Sequence, residues 1–163
     1  MTRIGHGFDA HRLVAGRPFV LGGVRIPFER GPLGHSDGDA LAHAVADALL
    51  GACALGDLGT HFAEGDPRWK DADSLALLRA CARMCRDAGY APHNVDATVV
   101  VQVPRLAPHV AAMRARLAAV LGLELGAVSV KAKTSDGMGY TGDGSGIAAY
   151  AVATVEAAER DGS

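Results

Sequence analysis

Strand-patterned and helix-patterned segments alternate along this chain, and that alternation allows few folds other than a sheet covered by helices. Residues 3–13 read as a strand with polar tips, and Phe19–Leu21 and Val24–Phe28 flank Gly22-Gly23 as a hairpin. Gly31 to Gly38 reads as a loop. Leu41, Val45, Ala48, Leu49 and Ala52 form the apolar stripe of a helix over about Asp39–Ala54, stopped by Gly56. After an irregular stretch at 56–72, a second helix is predicted over about Ser74–Ala88, with Asp73 as its cap and Gly89 as its stop. Val95–Val103 is β-branched and nearly continuous, the pattern of a strand buried on both faces. Pro108 suits the first turn of a third helix ending before Gly122. Val128, Val130 and Ala132 alternate with Ser129, Lys131 and Lys133, which predicts a half-exposed strand. Gly146–Ala157 reads as a strand or a helix, since Tyr150, Val152 and Val155 suit either. The expected fold is α+β (an α/β sandwich): a mixed β-sheet with helices packed on one face. A single domain over 1–163 is expected, with its core at about 3–157 and Arg160–Ser163 frayed.

Composition narrows the partners. Apolar residues make up 49% of the chain, enough for a packed core. A formal net charge of −2 without a Lys/Arg block argues against nucleic acid or an anionic membrane. Aromatic residues, at 5%, are too few for base-stacking platforms. Cys53, Cys81 and Cys85 are an odd set without a C-x-x-C pair, so buried free thiols and a reducing compartment are expected. The start, MTRIGHGFDAHRL, has neither an apolar signal region nor transit character, and no apolar run reaches membrane-spanning length. A cytoplasmic protein is the expectation.

Chemistry concentrates at Asp9-Ala10-His11. On a strand, residues two apart face the same side, so a carboxylate and an imidazole converge there. His43 is the best third ligand, and Asp39 and Asp47 share its helix face and could orient it. Two His and one Asp suit zinc with an open fourth position. Nothing nearby converges with His6, His61, His93 or His109. Gly137-Met138-Gly139-Tyr140-Thr141-Gly142 matches a dinucleotide-binding spacing, but glycines follow it instead of a helix. As a turn facing phosphate it fits better, with Lys131, Lys133, Thr134 and Ser135 just before it. Arg105, after Pro104, is expected to open the third helix, where free N–H groups favour anions.

Four segments together carry a resemblance: RIGHGFDAH at 3–11, LGGVRIPFERG at 21–31, HSDGDALAHAVADALLGACALGDLG at 35–59 and KTSDGMGYTGDGSGI at 133–147. In this order they resemble the 2-C-methyl-D-erythritol 2,4-cyclodiphosphate synthase family over about residues 3–157. The resemblance implies a homotrimer with three sheets around a threefold axis and active sites between subunits. It implies zinc on Asp9, His11 and His43, and His35 and Thr134 as catalytic residues placing the phosphates, with Ser36 in contact. Asp57, Leu58 and Gly59 would hold the methylerythritol hydroxyls, with Phe62 and Asp66 from the next loop. Val101, Pro104, Arg105, Leu106, Ala107, Ala132 and Lys133 would line the cytidine diphosphate pocket, and Tyr140 and Asp143 would also bind substrate. Asp136 stands where the family usually has a Glu holding a second divalent ion, Mg2+ or Mn2+. The implied reaction converts 4-diphosphocytidyl-2-C-methyl-D-erythritol 2-phosphate to the cyclic diphosphate with release of CMP. A zinc-dependent phosphohydrolase and a non-catalytic cytidine-nucleotide-binding trimer are the competing readings.

Departures from the family pattern matter. Asp136 is one methylene short of Glu, Arg105 replaces a usual Lys, and the mobile-loop segment reads Phe62-Ala63-Glu64-Gly65-Asp66-Pro67. Some relatives fuse this domain to a cytidylyltransferase, for which this chain is too short. Asp143 and Ser145 stand where many members carry Arg and Glu, and that Arg helps hold an isoprenoid diphosphate. An Asp repels such an anion. Calorimetry is therefore expected to show weak or absent binding of geranyl or farnesyl diphosphate; tight binding would contradict this.

Overall fold

The computed structural model describes residues 1–158, so the expectation for Arg160–Ser163 lies outside them. In chain order the elements are β1 (Thr2–Ala15), β2 (Phe19–Leu21), β3 (Val24–Ile26), β4 (Arg30–Pro32), α1 (Ala40–Ala52), α2 (Leu58–His61) and α3 (Ser74–Asp87). Then follow β5 (Tyr90–Val100), α4 (Val110–Leu121), β6 (Val128–Lys133), α5 (Gly139–Gly142) and β7 (Gly146–Ala157). The main sheet runs β4-β1-β7-β5-β6. It is mixed: β5 and β6 are parallel, joined by a crossover that contains α4, and the other pairs are antiparallel. Gly146–Ala157, which the residue pattern left open, is a strand between β1 and β5.

Helices cover one face of the sheet. Val95, Ala97 and Val99 of β5 are buried, as are Ile147, Ala149, Ala151, Ala153 and Val155 of β7. The other face is open and carries Ile4, Phe8, Tyr150 and Val152, exposed by 71%, 45%, 42% and 37%. This corrects the expectation that β5 is buried on both faces. Within one chain Asp96 is exposed, and Thr98 and Val100 are only half-buried.

Three boundaries also differ from expectation. α1 ends at Ala52, before Gly56, because Ala54 already takes a left-handed backbone (φ 58°). Arg105 does not open the third helix, since a 3-10 turn at Ala107–His109 precedes α4. The 56–72 stretch contains α2 and a 3-10 turn at Pro67–Trp69. The second helix has its expected cap: the Asp73 side chain accepts a hydrogen bond from Leu75 N.

Two local devices place α1. Asp39 caps it, accepting from Ala42 N at 3.0 Å, and the same carboxylate accepts from Gly22 N (2.8 Å) and Gly23 N (2.7 Å). Both glycines have positive φ, as a two-residue hairpin turn of the primed type requires. Asp39 thus ties the β2–β3 hairpin to the helix start. Burial pushes its carboxyl above the ordinary value, against the opposing effect of these hydrogen bonds. The second device is a close approach. A Cβ at Gly5 would lie 1.9 Å from Ala48 O, and one at Gly7 1.8 Å from Ala44 O. β1 has glycine where α1 presses its backbone onto the strand. Every α1 residue except His43, Asp47 and Gly51 is buried, and those three lie four apart on one stripe. Cys53, Cys81 and Cys85 are free and buried, with the Cys81 thiol pushed up to about 12 by desolvation.

Gly7→Ala is expected to destabilise the protein by about 3 kcal/mol or more, since the new methyl meets backbone rather than a movable side chain. Thermal denaturation measures it; a melting temperature within a degree of the parent would contradict the close-approach account.

Candidate metal centre and its pocket

Asp9, His11 and His43 present one ligand atom each, all within 4.8 Å of one another. β1 supplies the first two from one side of the strand, and α1 lowers the third onto them. His11 Nε2 lies 2.6 Å from Asp9 Oδ2, and His43 Nδ1 lies 2.9 Å from the same oxygen. The far side of each ring is engaged as well. His11 Nδ1 is 2.8 Å from Leu33 O, a carbonyl that can only accept, so Nδ1 carries a proton, and Nε2, once its own proton toward Asp9 leaves, offers a lone pair at the same point. His43 Nε2 is 2.7 Å from Ser74 Oγ and 3.2 Å from Ser36 Oγ. A carboxylate oxygen and imidazole lone pairs meeting at one point suit a shared cation, which makes this donor set fit for a divalent metal ion.

The expected orienting role of Asp39 and Asp47 is corrected. Asp39 faces the hairpin, and Asp47 accepts from Leu58 N at 2.8 Å. Hydroxyls, not carboxylates, back His43.

The triad opens into a cavity of about 500 Å³, lined also by Ala10, Arg12, Leu33, Gly34, His35, Ser36, Asp47, Asp57, Leu58, Gly59, Phe62, Glu64, Trp69 and Leu77. The sequence-level candidates His35, Ser36, Asp57, Leu58, Gly59 and Phe62 therefore share one cavity with the triad. Asp57 accepts from Thr60 N and Thr60 Oγ1, which shapes the turn into α2 and holds its carboxyl below the usual range. Asp66 does not line the cavity but touches a residue that does: its carbonyl oxygen accepts from His35 Nε2 at 2.9 Å, and its carboxylate pairs with Arg68 at 2.7 Å. Phe62 meets Trp69 edge-on at 4.9 Å. The Trp69 indole N–H is buried without a partner among the described residues.

A second group of candidates lies elsewhere. Val101 N donates to Lys133 O at 3.1 Å, so the ends of β5 and β6 stay together beyond the strands. Val101, Pro104, Arg105, Leu106, Ala107, Ala132, Lys133, Thr134 and Asp136 cluster along this sheet edge, and none lines the metal-centre cavity. β6 is three strand spacings from β1, roughly 14 Å. The side chains of Val101 and Leu106 belong to the core. Lys131, read as part of a phosphate cradle, is engaged with Asp96 at 2.7 Å. Tyr140 lines a smaller cavity of about 210 Å³ with His11, Arg12 and Ser145, and Asp143 accepts from Ser145 N. Sequence reasoning passed over Arg12, Glu64, Trp69 and Leu77 as pocket residues. No spacing pattern marks them: the loop at 62–72 brings Glu64 and Trp69 against the cavity, while Arg12 comes from β1 and Leu77 from α3.

The comparisons with known proteins agree over nearly the whole chain. The sequence model of the YgbB family matches residues 2–156. A 2-C-methyl-D-erythritol 2,4-cyclodiphosphate synthase of Burkholderia thailandensis is 60% identical over 153 residues, covering 94% of this chain and 94% of its own length. A solved structure of a 2C-methyl-D-erythritol-2,4-cyclodiphosphate synthase in its CDP-bound form superposes with a TM-score of 0.87 at 38% identity, covering 94% of this chain and all of that one. The bifunctional IspDF from Campylobacter jejuni superposes with a TM-score of 0.93 at 36% identity; this chain spans 42% of its length.

Burial opposes ionisation of Asp9, but hydrogen bonds from His11 and His43 and their charges hold the carboxyl below its ordinary range. Burial likewise opposes protonation of His11, and the Asp9 hydrogen bond and charge outweigh it and raise the imidazole above 6.5. A raised His contributes stability at low pH that is lost as pH climbs through its folded value. Metal-free protein should therefore lose stability as pH rises above 6.5, while divalent-ion affinity increases over the same range as the competing proton leaves. Urea titrations with and without a chelator test this; profiles flat in pH would contradict the proton–metal competition.

Proposed function

The chain belongs to the YgbB family, and from that premise we propose that it catalyses the reaction its relatives are named for. It converts 4-diphosphocytidyl-2-C-methyl-D-erythritol 2-phosphate to 2-C-methyl-D-erythritol 2,4-cyclodiphosphate with release of CMP, as a lyase of isoprenoid precursor biosynthesis. The observation that carries the reading is the convergence of Asp9, His11 and His43 at the mouth of a cavity that also holds His35, Ser36 and Asp57.

The chemistry asks little of a protein base. An oxygen of the 2-phosphate, already anionic, bonds to the β-phosphorus, and the bond from that phosphorus to the oxygen bridging to the α-phosphate breaks. CMP leaves with the bridging oxygen and its electron pair. Positioning and charge neutralisation are what the site must supply, and orienting two parts of one bound molecule can contribute roughly 7–11 kcal/mol. Asp9, His11 and His43 would hold zinc, which when bound supplies Lewis-acid stabilisation of the diphosphate. His35 and Ser36 stand beside the triad to orient phosphate oxygens. Asp57 faces the cavity with acceptor oxygens for the methylerythritol hydroxyls, and Asp47 steadies that segment through Leu58 N. Asp136 would help hold Mg2+ or Mn2+. Such ions take one or two carboxylates and complete their shell with substrate phosphates and water, so a lone exposed carboxylate suits the part.

The cytidine half of the site, at the ends of β5 and β6, stands roughly 14 Å across the sheet from the metal half. A homotrimer that sets the β5–β6 edge of one subunit against the metal centre of another would complete the site. The open sheet face with Ile4, Phe8, Tyr150 and Val152 is the surface such a trimer would bury around its axis. Buried thiols, and the lack among the described residues of a helix long and apolar enough to cross a membrane, support a cytoplasmic setting. The match of the family model to residues 2–156 supports reading the chain as a single domain.

Phosphorus NMR of the reaction, with CMP measured in parallel, tests the assignment. Stoichiometric CMP and a cyclic diphosphate are expected. His43→Ala should abolish both and strip zinc while leaving the far-ultraviolet circular dichroism unchanged. Release of inorganic phosphate in place of CMP would point to a phosphohydrolase.

A further inference from the structure

We propose that Ser74, with Asp37 behind it, is the positioning residue that fixes the tautomer of His43 and so decides which nitrogen faces the metal ion. The Asp37 carboxylate accepts from three donors: Asp39 N (3.1 Å) and the Ser74 hydroxyl on Oδ1, and Ser74 N (3.0 Å) on Oδ2. A carboxylate so placed can only accept, so the Ser74 hydroxyl proton is committed to Asp37. Ser74 Oγ then has only lone pairs for His43 Nε2, 2.7 Å away. Two lone pairs at that distance repel, so Nε2 carries a proton. With a metal ion at the point shared with Asp9 and His11, Nδ1 is then the nitrogen that gives it a lone pair; without the ion, Nδ1 holds a proton toward the Asp9 carboxylate 2.9 Å away.

Ser74 is buried, at 1% exposure, so water does not compete for the contact. It is the first residue of α3, but the helix cap is Asp73, so the Ser74 hydroxyl has no capping duty. Ser36 Oγ, 0.5 Å farther from Nε2 and also near Gly38 N, is the weaker neighbour. His11 is locked in the complementary sense by a backbone carbonyl, that of Leu33. The centre thus orients one imidazole through main chain and the other through a Ser–Asp pair drawn from α3 and the loop before α1. A partner that orients a liganding imidazole commonly matters 10–100-fold in metal affinity.

The proposal rests on the reading of the triad as a metal centre. Its test combines zinc competition against a chromophoric chelator with 15N NMR of the histidine side chains. In the zinc-loaded parent protein the His43 proton is expected on Nε2. Ser74→Ala should bind zinc about 10–100-fold more weakly and lose the single tautomer. Ser74→Cys keeps the shape with a poor acceptor and should behave alike, which guards against a folding defect in the alanine variant. Parental zinc affinity in both variants, or an Nδ1–H tautomer in the zinc-loaded parent, would overturn the role of Ser74. A parent protein that binds no zinc would instead contradict the metal reading, and the role of Ser74 with it.

Discussion

The close approach of α1 to β1 is the constraint on which the rest of the molecule depends. A carbonyl of the helix sits where a Cβ of residue 5 or 7 would be, and only glycine permits it. That contact sets the height of His43 above the strand. One turn farther from the sheet, or with a methyl between, the imidazole would not reach Asp9 Oδ2 at 2.9 Å. Asp39 adds the second coordinate by pinning the helix start to the Gly22-Gly23 turn. Helix height and helix start are thus fixed by separate interactions, and the candidate metal centre lies where both are satisfied.

The centre also shows how a small polar cluster can be made single-valued. Three acceptor-type atoms meeting at one point are unstable without a positive charge between them. Asp9 is kept ionised and His11 is biased toward holding a proton, so in the metal-free cluster a proton supplies the positive charge that a cation would replace. Each ring is held by a partner on its outer side, which removes rotational choice from the ligands. The cavity beyond is lined by imidazole, hydroxyl and carboxylate groups positioned by turns, able to orient phosphate and hydroxyl oxygens. Such an inventory suits a reaction whose nucleophile is a phosphate already in the substrate.

What could be read from residues alone follows from the range of the interactions involved. Asp9 and His11 were legible because strand alternation is local. The helix of His43 was legible from its apolar stripe, and its ligand role needed the strand and helix to be brought together. Ser74 was not legible as a partner of His43, since 31 residues separate them and no periodicity links them. Asp39 and Asp47 share the helix face of His43, yet hairpin and loop N–H groups claim their oxygens first. The β-branched run at Val95–Val103 looked buried on both sides because Thr98 and Val100 interrupt the polar pattern that Asp96 begins on its second face. One face packs under helices, and the other belongs to a surface that a single chain leaves open. Arg105 was misplaced because a Pro that suits a first helical turn suits a 3-10 turn equally well.

The central claim is that one zinc ion is held by a carboxylate oxygen and two imidazole nitrogens of this chain. X-ray absorption at the zinc edge of the purified protein reads those donors directly. The account predicts nitrogen and oxygen scatterers only, at about 2.0–2.2 Å, with the outer-shell pattern of two imidazoles. Sulfur scatterers near about 2.3 Å, or an imidazole signal unchanged in His43→Ala, would contradict it.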